Sequence, residues 1–90
     1  MNFEWDFEKS ERNRRLRGFG FDEAALIFEQ PCLEWQDSRH DYGEARMVAV
    51  GRTGGTFYTV VYVDRASRRR IIAAWPSHRK ERERWARWSE

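Results

Sequence analysis

The sequence predicts one α+β domain over residues 1–90. The expected form is a small antiparallel sheet of about four to five strands with two N-terminal helices and one C-terminal helix, in the order βααββββα. Three observations carry this. The first third shows helix caps and i,i+4 charge pairs. From Cys32 onward the pattern changes to extended alternation broken by Thr53-Gly54-Gly55 and by Ala66-Ser67. After Pro76 comes a charged run in which Trp85 and Trp88 sit at i,i+3.

Asn2 to Trp5, with Phe3 and Trp5 alternating against Glu4, is a short strand. Asp6 is suited to cap a helix. Glu8 with Arg12 and Glu11 with Arg15 are paired at i,i+4, arginines fill the last turn and Gly18 stops it, giving a mostly solvated helix over about Phe7 to Arg17. A second short helix runs from Asp22 to Glu29, with Phe21 and Leu26 spaced as a hydrophobic staple across an Asp22 cap, and Pro31 ends it. Leu33 to Gln36 is a strand and Asp37 to Gly43 a polar loop. Glu44 to Arg52 is a longer strand that turns through Thr53, Gly54 and Gly55 into Thr56 to Asp64. Tyr58, Val60 and Tyr62 line one face of that last strand and Phe57, Val61 and Val63 the other, which places it mid-sheet. A second turn at Ala66 and Ser67 leads into Arg69 to Trp75. Strict alternation there puts Ile71, Ala73 and Trp75 on one face and Arg70, Ile72 and Ala74 on the other. Pro76 stops the strand, and Ser77 caps a final helix to about Trp88, docked through Trp85 and Trp88.

Hydrophobic residues at 40% and aromatics at 16% supply a core despite 36% charged residues, which argues against disorder. Cys32 is the one cysteine, so no internal disulfide forms and a reducing, cytoplasmic setting is expected. Glu4, Asp6 and Glu8 occupy the region where a signal peptide carries positive charge, and no run approaches the ~18 apolar residues of a membrane span. The net charge of +2 is unevenly spread. From Arg65 to Arg87 there are nine basic residues and two acids, and 15 of the 17 cations are Arg. Arginine offers a planar fork for phosphate and stacks on bases, so this basic third points to nucleic acid.

No Gly-rich phosphate loop, zinc spacing or nucleophile elbow is present, and no metal or nucleotide cofactor is expected. His40, Asp41 and Glu44 cluster on one loop but lack a fourth ligand at a metal-like spacing. A nuclease that works without metal needs cations for the pentacovalent phosphate and a group to move the proton of the attacking hydroxyl. Arg46 and Arg70 lie inside strands, where they either face an anion or pair with Glu44 or Asp64 at a sheet edge. His78 and His40 are the histidines available for proton transfer. Trp75 is placed to stack a base or to pack at an interface; Trp35, Trp85 and Trp88 suit packing or association.

Several stretches together resemble the BrnT toxins of bacterial type II toxin–antitoxin systems. They are Trp5, Asp6, Phe7, Glu8 and Lys9; Asn13 through Gly18; Phe21, Asp22, Glu23 and Ala24; Asp41, Gly43, Glu44 and Arg46; and Arg70, Ile71, Ile72, Ala74, Glu81 and Arg82. The resemblance spans nearly the whole chain in order. It implies a RelE-like fold and a small ribonuclease that stops translation by cutting RNA, held inactive by an antitoxin encoded beside it. Such antitoxins resemble ribbon-helix-helix DNA binders, so any contact with DNA would run through the antitoxin. The chain departs from the family pattern in having Leu16 and Arg17 where Lys-His precedes the glycine, and Ala73 and Trp75 where Ser and Arg stand in the last strand.

The resulting expectation is a metal-independent RNA endonuclease with no cofactor, in which Glu44, Arg46, Arg70 and His78 act at the scissile phosphate. Arg17, Arg69, Trp75, Arg79 and Arg82 would contact RNA. The partners expected are RNA and a cognate ribbon-helix-helix antitoxin in a hetero-oligomer, with no membrane. Two alternatives stay open: an inactive module of the same family that binds an antitoxin and tunes transcription, and a single-strand RNA binder that does not cut.

Overall fold

A computed structural model describes residues 1–39, 41 and 43–90; the expectations placed on His40 lie outside the described residues. The elements in chain order are β1 (Asn2–Trp5), α1 (Phe7–Arg17), α2 (Phe21–Ala24), a 3₁₀ helix (Ala25–Glu29), β2 (Leu33–Asp37), β3 (Arg46–Thr53), β4 (Thr56–Arg65), β5 (Arg68–Pro76) and α3 (Arg79–Trp88). The strands form one sheet in the order β1-β5-β4-β3-β2. From β2 to β5 the chain is an antiparallel meander, whereas β1 lies parallel to β5. The sheet is therefore mixed, not antiparallel as expected. Alternation in Asn2 to Trp5 fixes which side chains face the core but not the direction of the strand. No hairpin joins β1 to its neighbour, so nothing local imposes an antiparallel pair.

Asp6 caps α1, its carboxylate accepting from the Lys9 N–H at 3.1 Å, and Gly18 ends the helix at φ 87°. Only Ser10 of α1 is buried. The helix is held by polar bonds instead of an apolar stripe. The Ser10 hydroxyl accepts from the Phe21 N–H at 2.9 Å, Asn13 donates to the Phe19 carbonyl at 2.9 Å, and Arg14 binds Glu11, Asp22 and Glu23. The expected staple does not form. Asp22 is taken by Arg14, α2 starts at Phe21 behind Gly20, Phe21 is buried and Leu26 is exposed.

Phe19, Phe21, Ala24 and Ile27 pack on the sheet face formed by Ala49, Val60, Tyr62, Ile71 and Ala74. The 3₁₀ helix comes so close to β3 that a Cβ on Gly51 would lie 2.8 Å from the Ile27 Cβ. On the opposite face α3 docks through Trp85 against Phe57, ring centroids 5.0 Å apart, while Trp88 is left largely exposed. Ser77 is not the cap. It is buried, hydrogen-bonded to the Thr59 hydroxyl at 2.8 Å, and the cap position falls to His78.

β5 does not alternate strictly. Val61 pairs with Ala73 and Tyr62 with Ile71, so Ile72 is an extra residue, a bulge whose carbonyl accepts from the Lys9 ammonium. The expected faces are corrected by it: Arg69, Ile71 and Ala74 share the helix-covered face with Tyr62, while Arg70, Ala73 and Trp75 share the other with Thr59, Val61 and Val63.

Candidate functional site

The bulge sets Arg70 on the face that α3 only partly covers. Asp37 pairs with Arg46, the register that joins Met47 to Tyr62 sets Arg46 level with Val63, Val63 pairs with Arg70, and Arg70 with Glu4. One row across the sheet thus reads Asp37, Arg46, Val63, Arg70, Glu4. Just beyond it Arg65 pairs with Arg68, and Glu44 accepts two bonds from Arg65 at 2.9 and 3.2 Å. Arg39 forks onto the buried Asp37 carboxylate at 2.9 and 3.0 Å, and Glu4 lies 3.8 Å from both Arg68 and Arg70. Arg39, Arg46, Arg65, Arg68 and Arg70 therefore converge on one end of one face with Glu4, Asp37 and Glu44 among them. The hydrogen bond from Arg65 to Glu44 raises the guanidinium pKa further, keeping it charged. Among the described residues named here, five cations stand against three carboxylates, with Arg70 about a third exposed and Arg68 well exposed. The arrangement can hold an anion and offers carboxylates beside it.

Toward α3 on the same face lies a slot of about 230 Å³ lined by Trp35, Asp37, Arg39, Val48, Trp75 and Glu81, among others. Glu81 organises it. Its Oε1 accepts from the Thr59 hydroxyl at 2.9 Å, the Trp75 indole N–H at 3.2 Å and the His78 backbone N–H at 2.7 Å. The Arg84 guanidinium stacks over the Trp35 ring at 4.1 Å.

The site residues expected from sequence separate into groups. Glu44, Arg46 and Arg70 come together at the cationic end. Trp75 lies on the same face in the slot. His78 stands at the start of α3, past Trp75. Its ring lies 6.2 Å from that of Trp75, which pairs with Thr59, four residues along β4 from Val63. Arg79 is exposed and binds Glu83 at 2.9 Å, and Arg82 donates to the Ser77 carbonyl. Arg17 ends α1 on the other side of the sheet.

Arg69 is also on that other side, mostly buried. It lies over Tyr62 at 4.0 Å and Phe28 at 4.8 Å, bonded to Asp64 at 2.7 and 3.0 Å. Next to it Tyr62 donates a short hydrogen bond to Glu34, and burial followed by that bond pushes the phenol pKa up. Burial, then the Glu34 charge, pushes the Cys32 thiol up to about 11, so it is not a nucleophile at neutral pH.

Sequence reasoning missed Glu4, Arg39, Arg65, Arg68, Glu81 and Trp35 as members of this face. Glu4 carried a signal, as the polar residue of an alternating strand; Glu81 gains its capping place only once the cap moves from Ser77 to His78. Nothing local marks Arg39, Arg65 and Arg68, because only the register gathers them.

A family model described as the ribonuclease toxin BrnT of type II toxin–antitoxin systems matches residues 5–81. No curated protein matches the chain. The matched range holds Glu44, Arg46, Arg70, Trp75 and Glu81 and stops one residue short of Glu4. Membership implies RNA as substrate and an antitoxin as partner. The chain belongs to the BrnT family of ribonuclease toxins of type II toxin–antitoxin systems.

Proposed function

We propose that this chain, acting as one RelE-like domain in the cytoplasm, is an RNA endonuclease that needs no metal, inhibits translation, and is neutralised in a hetero-oligomer with a ribbon-helix-helix antitoxin. The observation that carries the catalytic part is the row in which Arg46 and Arg70 flank Val63 with Glu4 and Glu44 at its margins. A phosphate between the two arginines receives two planar forks, which stabilise the charge that grows on its oxygens in the transition state. A carboxylate at the margin, Glu44 or Glu4, takes the proton of the 2′-hydroxyl. The 2′-oxygen bonds to phosphorus, the bond to the 5′-oxygen breaks, and that oxygen takes a proton from water, leaving a 2′,3′-cyclic phosphate and a 5′-hydroxyl. His78, at the start of α3 beside Trp75, is the remaining candidate for proton transfer, and Arg79 and Arg82 on α3 contact RNA in this scheme.

The family departures divide between the two sides of the sheet: Leu16 and Arg17 end α1 on the side away from the row, while Ala73 and Trp75 share the face of Arg70, Trp75 lining the slot, so the inert antitoxin-binding module stays the second reading. The deciding experiment is incorporation of labelled amino acid in bacteria after induction of this chain alone, beside the Arg46→Ala, Arg70→Ala double variant. Synthesis should collapse with the parent and continue with the variant, and purified parent should leave cyclic-phosphate ends on RNA. Undiminished synthesis in both would favour the inert module, and equal collapse in both would remove the two arginines from the site.

A further inference from the structure

We infer that the slot between α3 and the sheet is the subsite for one unpaired nucleobase next to the scissile phosphate, an inference that rests on the nuclease reading above and specifies its substrate as single-stranded. The slot holds about 230 Å³, and Trp35, Val48 and Trp75 give it an aromatic and aliphatic lining. It opens on the same face as the cationic row. Trp35 and Val48 stand two residues along their strands from Asp37 and Arg46, about 7 Å at ~3.3 Å per residue. A nucleotide's sugar joins phosphate to base over a span of this kind, so a phosphate on Arg46 and Arg70 brings an attached base to the slot.

The lining also has the chemistry that bases require. Unpaired bases are bound by stacking on aromatic rings and by hydrogen bonds to their exposed edges. Arg84 over Trp35 holds one indole in place, and the bond from Trp75 to Glu81 holds the other. The Glu81 Oε1 is saturated by three donors. Among the described residues its Oε2 accepts no hydrogen bond, so it is the acceptor for a base N–H. A base in a duplex presents neither its face nor its pairing edge, and only an unpaired nucleotide enters. Glu81 is a positioning residue for the two tryptophans as well as the acceptor.

The test uses short single-stranded RNA oligonucleotides in which an abasic residue is stepped through the sequence, with both equilibrium binding and cleavage measured on the purified parent. One position adjoining the cut bond should lower affinity and kcat/KM roughly 5- to 150-fold when made abasic, the range of one lost base stack. Trp35→Ala should weaken the intact oligonucleotide by the same factor and make the abasic position indifferent, whereas Trp35→Phe, which keeps a ring, should restore most of the loss. Annealing a complementary strand should abolish cleavage. Cleavage that proceeds equally on every abasic oligonucleotide would overturn the subsite and leave the nuclease standing. Binding that senses one abasic position without any cleavage would keep the subsite and overturn the nuclease.

Discussion

Arg69 and Arg70 are adjacent in the chain, and the sheet sends them to opposite faces. Arg69 lies over Tyr62 and Phe28 and is neutralised by Asp64, so its guanidinium is spent on the core. Arg70 keeps about a third of its side chain exposed beside Glu4. Truncating them should have opposite effects. Arg69→Ala strips the cation from Asp64 and Glu34 and uncovers two rings, and should cost about 2 kcal/mol in denaturant melts while the folded fraction still cuts RNA. Arg70→Ala should change stability by less than about 0.5 kcal/mol and lower cleavage by roughly 10²-fold or more. A second prediction concerns Cys32 and Tyr62. Both are neutral when protonated and both have pKa values raised by burial, so the unfolded chain loses these protons first as pH rises. The Cys32 contribution to stability is complete below about pH 9 and declines from there toward pH 11, while that of Tyr62 begins to decline only from its ordinary value of 10 and continues upward. Melting midpoints should fall across that window, and iodoacetamide should label native Cys32 slowly until its upper end. Sequence put forward Arg70 for catalysis and Arg69 for RNA contact on one site, since residue type says nothing about which face a neighbour takes.

At the scale of elements, what proved legible was punctuation. Asp6 and Gly18 bound the first helix because a carboxylate can serve free N–H groups and a glycine can take a positive φ, and both facts are local. Gly54, at φ 59°, marks the β3–β4 hairpin for the same reason. Strand direction, the bulge at Ile72 and the shift of the last cap from Ser77 to His78 were not legible, because each is set by a partner distant in sequence: β5 for β1, β4 for the bulge, Thr59 for Ser77. The attachment of α3 shows how much one residue can carry. No residue of that helix is fully buried, and its polar hold on the sheet passes through Glu81. Glu81→Ala should therefore remove three hydrogen bonds at once, costing about 2 kcal/mol. Hydrogen exchange should quicken in Arg79–Trp88 while the central strands stay protected, and unchanged exchange in α3 would mean that Trp85 and Arg84 suffice to dock it.

For the molecule as a whole, the sheet is a partition. The helices α1 and α2 close one side over the core, and the other carries the arginine row, the slot and α3. The cationic bias of the C-terminal third was visible in sequence, but composition could not say that Arg39 and Arg46, from outside that third, join it or that Arg69 leaves it. The proposed site predicts a salt response: affinity for RNA should fall linearly with the logarithm of salt concentration, and removing Arg46 or Arg70 should reduce that slope by about one phosphate each. A binding isotherm series with equal slopes for parent and variants would place the phosphate elsewhere. The pairing of the first strand with the last has a further consequence for how the chain is made. Glu4 precedes Arg70 in the chain by most of the fold, so the row does not exist until β5 has formed and β1 has paired with it, and whatever the row does waits on that closure.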